Sequence, residues 1–258
     1  MNPVLTGALL SVALTVGIVA MIEVGRKFRL RDNRRHGEDA GKGLGPVDGA
    51  VFGLMGLLLA FTFSGAATRL DVRRQQIVDE ANNIGTAYLR LDLVPPEARP
   101  PLKEKFRQYL DARLAAYDAM PDINKAKAKF AEADVLQQEI WNDAVAAVGG
   151  LPHPQAATLL LPAINEMFDI AATRLAATRM HPPLLIYAML LVVAMICSLL
   201  AGYDMGTESG RNWFHILAFA VMLGGAVYVI VDLEYPRVGL IRIDSFDELL
   251  VDVRQQMR

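Results

Sequence analysis

Four blocks of about 20 residues stand out along the chain because they are apolar almost throughout: 4–24, 50–67, 184–203 and 213–231. Each is near the length that crosses a bilayer as a helix, whose hydrocarbon core takes about 20 residues. Between the second and third blocks the pattern changes to amphipathic. Ile77, Ala81, Ile84, Tyr88 and Leu91 alternate at spacings of four and three, one face of a helix. No proline occurs between Pro46 and Pro95, so the apolar run from Ala50 and the amphipathic run to Asp92 read as one helix. A helix of that length measures roughly 70 Å at 1.5 Å per residue, against a bilayer core of about 30 Å. Half of it is expected in lipid and half in water.

The remaining amphipathic stretches follow in order. Leu102, Phe106, Tyr109, Leu110, Leu114 and Tyr117 mark one helix, after the proline-rich turn at 95–101. Ile123, Phe130, Leu136, Ile140, Trp141, Val145 and Val148 mark another, stopped by Gly149 and Gly150. Residues 158–179 form a third, with Leu161, Ile164, Phe168, Ala171 and Leu175 on its inner face. After the turn His181-Pro182-Pro183, the last two apolar blocks are joined by residues 204–211, short enough for an antiparallel hairpin. A short helix carrying Phe246, Leu249, Leu250 and Val253 ends the chain. No stretch alternates at period two over a useful length, so the expected fold is all-α: four transmembrane helices, with an extramembrane helical bundle inserted between the second and third. The corresponding segments are 1–45 (first span and basic loop), 46–92 (second span and its extension), 93–181 (bundle), 182–233 (hairpin of spans) and 234–258 (tail).

Composition changes this picture little. The chain is 53% hydrophobic with a positive mean hydropathy of +0.28, above the ordinary soluble range. Residues 69–178 hold 13 Lys/Arg against 15 Asp/Glu, which offers no basic footprint for nucleic acid. The first block has no charged side chain before it. Arg26, Lys27, Arg29, Arg31, Arg34 and Arg35 follow it, so it reads as a retained span rather than a signal peptide. Charge does not orient the protein: eight Lys/Arg lie near the membrane on one face and nine on the other. The single cysteine, Cys197, lies inside a span and forms no framework or metal pair.

Candidate chemistry is sparse. Arg69, Arg73 and Arg74 follow the second span, either as membrane-edge anchors or as a ring of positive charge at a pore mouth in an oligomer. Gly53, Gly56, Ala60 and Ser64 form a small-residue stripe suited to close helix packing. Glu80, Asn82 and Asn83, with Asn165, Glu166 and Asp169, are expected to pair across the bundle or with Arg90 or Arg174. Asp232 and Glu234 sit at the edge of the fourth span, at membrane depth or just outside it. His181 and His215 are isolated from metal-type partners, and no nucleophile has a base beside it. No enzyme activity, cofactor or metal is expected.

Several segments carry a resemblance. Residues 57–66 (LLLAFTFSGA), 73–75 (RRQ), 80–88 (EANNIGTAY), 161–169 (LPAINEMFD), 181–183 (HPP) and 232–242 (DLEYPRVGLIR) resemble the bestrophin-like domain proteins, a family of uncharacterised bacterial membrane proteins. A more distant likeness runs to the bestrophins, pentameric anion channels whose second membrane helix forms the channel neck. The resemblance implies a multi-pass protein of the bacterial inner membrane, surrounded by lipid and assembled as a homo-oligomer, with a small anion as permeant. It places Leu58, Phe61 and Gly65 at a pore constriction and Arg69 and Arg73 at its mouth. A second reading, a membrane-anchored helical scaffold or sensor without transport, fits the same pattern.

Overall fold

The computed structural model describes residues 3–36, 45–120, 122–150, 154–206 and 211–257, with side chains from Val12 onward. Eight helices and one 3-10 turn account for nearly all of these residues, and no strand occurs among them. The helices are α1 (Pro3–His36), α2 (Gly45–Arg90), α3 (Arg99–Asp118), α4 (Ile123–Gly149), α5 (Gln155–Ala177), α6 (Leu184–Met205), α7 (Trp213–Glu234) and α8 (Asp244–Gln256). Among the described residues three helices are long and apolar enough to cross a membrane: Gly45–Leu93, Leu184–Met205 and Trp213–Glu234. The fourth expected span, 4–24, falls within α1, where side chains before Val12 lie outside the described residues.

Some expectations change. Residues 26–36 were expected in a loop, but α1 continues to His36. Arg and Lys are good helix formers, and neither glycine nor proline interrupts the run until Gly37. The inner face of α5 is also rotated. Leu160, Ile164, Met167, Ala171 and Arg174 are buried, while Leu175 is exposed. The helix turns to bring Arg174 inward, where a carboxylate waits.

The chain divides into two compact units. The first is Met1–Arg69 with His181–Tyr235, and the second is Leu70–Met180 with Pro236–Arg258. The unbroken helix α2 passes from one to the other.

In the first unit α1 packs on α6 and α7, and glycine sets the distance. A Cβ on Gly25 would stand 1.9 Å from the Leu199 carbonyl oxygen, and one on Gly202 would stand 2.0 Å from that of Ile22. The two backbones touch, as small residues allow between membrane helices. Ile18, Ile22, Leu190, Ala194, Cys197 and Ala220 fill the space around that crossing.

In the second unit the core gathers Ile84, Tyr88 and Leu91 of α2 with Leu102, Phe106, Tyr109 and Leu110 of α3, Leu136 and Ile140 of α4, and Leu160, Ile164 and Met167 of α5. Alanines make the tight face of α4: Ala126, Ala133 and Ala144 are buried, while Ile123 and Val145, expected inside, are exposed. Asp122 caps α4 by accepting from the backbone N–H of Asn124 and Lys125, both at 3.2 Å. Leu250 and Met257 join the core from the tail.

Candidate functional site

The apolar half of α2 is the least covered of the three candidate spans. In its most apolar stretch 11% is buried, against 28% in α6 and 39% in α7. Met55 and Ala66 face inward, Phe52 meets Phe219 edge-on at 6.4 Å, and the Cys197 thiol lies 3.9 Å from the Val51 carbonyl. Leu58 is half-buried, and its carbonyl accepts the Thr62 hydroxyl at 2.6 Å. Phe61 points away from the chain at 68% exposure. Gly53, Gly56, Ala60 and Ser64 are all exposed, and a Cβ built on Gly53 or Gly56 meets nothing within 4 Å. Among the described residues, therefore, nothing packs against Gly53 or Gly56, while Ala60 borders a shallow apolar groove shared with Met222, Gly225 and Ala226 of α7. The closest backbone approach of this unit is made by Gly25 and Gly202 instead, the latter in a buried stripe of small residues, Ala194, Ser198, Gly202 and Gly206, spaced four apart along α6 and into its C-cap.

Arg69 ends the first unit's part of α2. Its guanidinium folds back past Gly65, where an added Cβ would come within 3.3 Å of Nη1. Its Nε and Nη2 donate to Oε1 of Glu234 at 2.8 and 2.5 Å. Glu234 is fully buried, and Nδ1 of His181 lies 3.3 Å from its other oxygen. The His181 ring stacks on Tyr235 with centroids 4.8 Å apart. Arg69, His181 and Tyr235 are the residues at which the chain passes between units, so one carboxylate binds two of the three passages and adjoins the third. Sequence reading saw these residues separately: a basic edge, an isolated histidine, an interface aromatic and an acid at uncertain depth. The HPP and DLEYP segments carried the signal, but their meeting needed the fold.

Arg73, one turn further, does not join Arg69. It is buried in the second unit and donates to the carbonyls of Ala177 (3.3 Å) and Met180 (3.1 Å), closing the C-terminus of α5.

Further along α2, Glu80 is fully buried between two arginines. Arg113 Nε donates to Oε1 at 2.9 Å and Arg174 Nη1 to Oε2. The Glu80–Arg174 pairing was legible from the sequence. The participation of Arg113 and Tyr117 was not, although both continue the buried face of α3 from Phe106 and Leu110. The Tyr117 hydroxyl accepts from Arg113 at 2.6 Å, and its ring lies under the guanidinium groups of Arg174 (4.3 Å) and Arg237 (4.5 Å). Asp247 of α8 accepts two hydrogen bonds from Arg237 at 2.7 and 3.0 Å and lies 3.5 Å from Arg174. Burial pushes the Tyr117 phenol up to about 12 and draws the Arg174 guanidinium down to about 10. Both keep their ordinary charge at neutral pH. Asn83 donates to the Glu166 carbonyl across the bundle, as expected, and Arg90 likewise reaches across to that of Leu159, while Asn165 donates to Asp169 within α5.

Among the described residues no group of three or more His, Cys, Asp or Glu is placed to hold a metal ion. What the arrangement defines is a helical membrane protein with apolar spans in one unit and a charged, internally paired bundle in the other. The chain belongs to the bestrophin-like domain family, whose family model matches residues 9–245. Most of α8, including Asp247, lies beyond that match. No curated protein and no solved structure matches the chain.

Proposed function

We propose that this protein is an oligomeric pore, an ion channel passing small anions, in which α2 of each copy lines the path. Four spans, including 4–24 of α1, cross a bacterial inner membrane, and the helical bundle inserted between the second and third stands outside the lipid. The observation that carries the reading is the uncovered face of α2, where Phe61 is 68% exposed, Gly53, Gly56, Ala60 and Ser64 are all exposed, and nothing among the described residues comes within reach of a Cβ on Gly53 or Gly56. Membership of the bestrophin-like family supports it. The stripe packs against neighbouring copies, and Leu58, Phe61 and Gly65 form an apolar constriction that gates by dewetting. Arg69 and Arg73 lie at the mouth. The protein is not an enzyme and carries no cofactor.

One observation favours the alternative, a membrane-anchored scaffold or sensor without transport. Arg69 is already paired with Glu234, and Arg73 is committed to the end of α5, as structural anchors would be.

The test is single-channel recording of purified protein in planar bilayers, with its stoichiometry measured in parallel. Phe61→Ala is expected to raise conductance and Arg69→Gln to reduce the preference for chloride over potassium. Silent bilayers from both wild type and Phe61→Ala, with the protein running as monomers or dimers, would refute the pore and leave the scaffold.

A further inference from the structure

The end of α1 sorts its charges by face. Arg29 points inward, donating to the Tyr203 hydroxyl at 3.4 Å with its guanidinium 5.0 Å from that ring, while Tyr203 donates to Asp32 at 2.6 Å. Glu23 is paired with Arg211 at 3.2 Å. Lys27, Arg31, Arg34 and Arg35 are instead exposed and have no ion-pair partner among the described residues. At about 100° per residue these four fall within an arc of about 100° on the helix. Exposed Phe28 and Leu30 flank that arc, at 49% and 38% exposure. Asp32 is the one acid between Arg26 and His36, and it faces inward.

We infer that this face of α1 binds the headgroups of anionic phospholipids in the leaflet where α1 leaves the bilayer. The cations follow directly on an apolar run, so they stand at the depth of the phosphates. Lys27 and Arg35 are about 12 Å apart along the axis, and the long side chains of Arg34 and Arg35 reach back toward the headgroup layer. Phe28 and Leu30, on either side of the cations, suit the acyl boundary beneath. A water-facing loop would gain nothing from that flanking. Clusters of four to eight cations beside a span attract anionic lipid with about 1 kcal/mol each, about fivefold in affinity per cation. The inference rests on α1 crossing the bilayer, as in the four-span reading, and is independent of whether a pore forms.

The experiment uses the purified full chain in neutral detergent. Its thermal midpoint is followed as phosphatidylglycerol or phosphatidylcholine is added, at low and at high salt. Phosphatidylglycerol is expected to stabilise the wild type selectively, with an effect that fades as salt rises. The variant Lys27→Gln/Arg31→Gln/Arg34→Gln/Arg35→Gln should lose at least about tenfold in apparent affinity. A control of similar charge change on α4, Lys125→Gln/Lys127→Gln/Lys129→Gln, should keep the wild-type response. Equal stabilisation by both lipids, or an undiminished response in the α1 variant, would overturn the inference. Labelling Asn2→Cys and Gly41→Cys with an impermeant maleimide in sealed vesicles separates the underlying reading. Labelling from opposite sides is expected, and labelling from the same side would overturn the crossing of α1 and with it the inference, whereas opposite-side labelling without lipid selectivity would overturn the inference alone.

Discussion

Removing Glu80 tests the charge network at the centre of the second unit. Its carboxylate is fully buried and faces Arg113 and Arg174, whose side chains are 5% and 6% exposed. Glu80→Ala leaves both guanidinium groups buried without that counterion. Breaking a buried pair from one side costs about 3–5 kcal/mol, because the stranded charge cannot regain its hydration. Arg174 keeps Asp247 at 3.5 Å, which holds the figure to that range. Glu80→Gln preserves the shape and one acceptor and should cost about 2–3 kcal/mol, the difference between charge-assisted and neutral hydrogen bonds at two donors. For a unit of this size 1 kcal/mol moves the melting midpoint by about 3–4 °C. Glu80→Ala should therefore melt about 10–20 °C below wild type, followed by circular dichroism in detergent. Replacing all three partners together, Glu80→Leu with Arg113→Met and Arg174→Met, should recover most of the loss, since an apolar substitute for a whole buried ion cluster is often neutral. A Glu80→Ala protein melting within about 2 °C of wild type would refute the reasoning.

Other outcomes follow from the same geometry. Gly202→Val should separate α1 from α6 and give a protein that aggregates on extraction, seen by size-exclusion chromatography, because its Cβ would overlap the Ile22 carbonyl. Val72→Pro, on the exposed side of α2, should cost about 3 kcal/mol or more by breaking a continuous helix, and unchanged melting would mean that the helix is not continuous in solution. Tyr117 has its folded pKa raised to about 12, above the unfolded value. The neutral phenol therefore favours the folded state below pH 10, and that contribution is lost as pH rises toward 12. In alkaline melts the wild type should lose stability over this window relative to Tyr117→Phe.

The helices were legible because their signals are local. Spacing gave α3 and the amphipathic half of α2, and the lack of proline gave the continuity of α2 through Arg69. What was missed depends on partners distant in sequence. Leu161 and Leu175 are as apolar as Leu160, yet α5 turns its Leu160 side inward because Arg174 must reach Glu80. On α4 the expected Leu136, Ile140 and Val148 are buried, but close packing against α3 also selects the small Ala133 and Ala144, which hydrophobic size does not mark, over Ile123 and Val145. At the candidate site Phe61 and the small stripe were picked out on α2 itself. The binding of Arg69 to Glu234 links positions 165 apart in the chain, and no local pattern encodes such a link.

That link has a mechanical consequence inside the first unit. Glu234 ends α7, and its two oxygens are divided between Arg69 on α2 and His181 at the approach to α6. A carboxylate shared in this way gauges axial position. Sliding α2 along α7 by one residue, about 1.5 Å, would lengthen or bend the Arg69 contacts, which the long side chain can partly follow. A slide of a full turn, about 5.4 Å, would carry the arginine away from the buried carboxylate. Motion of α2 past α7 therefore works against this buried pair, which resists sliding more strongly the further the helices move from their register.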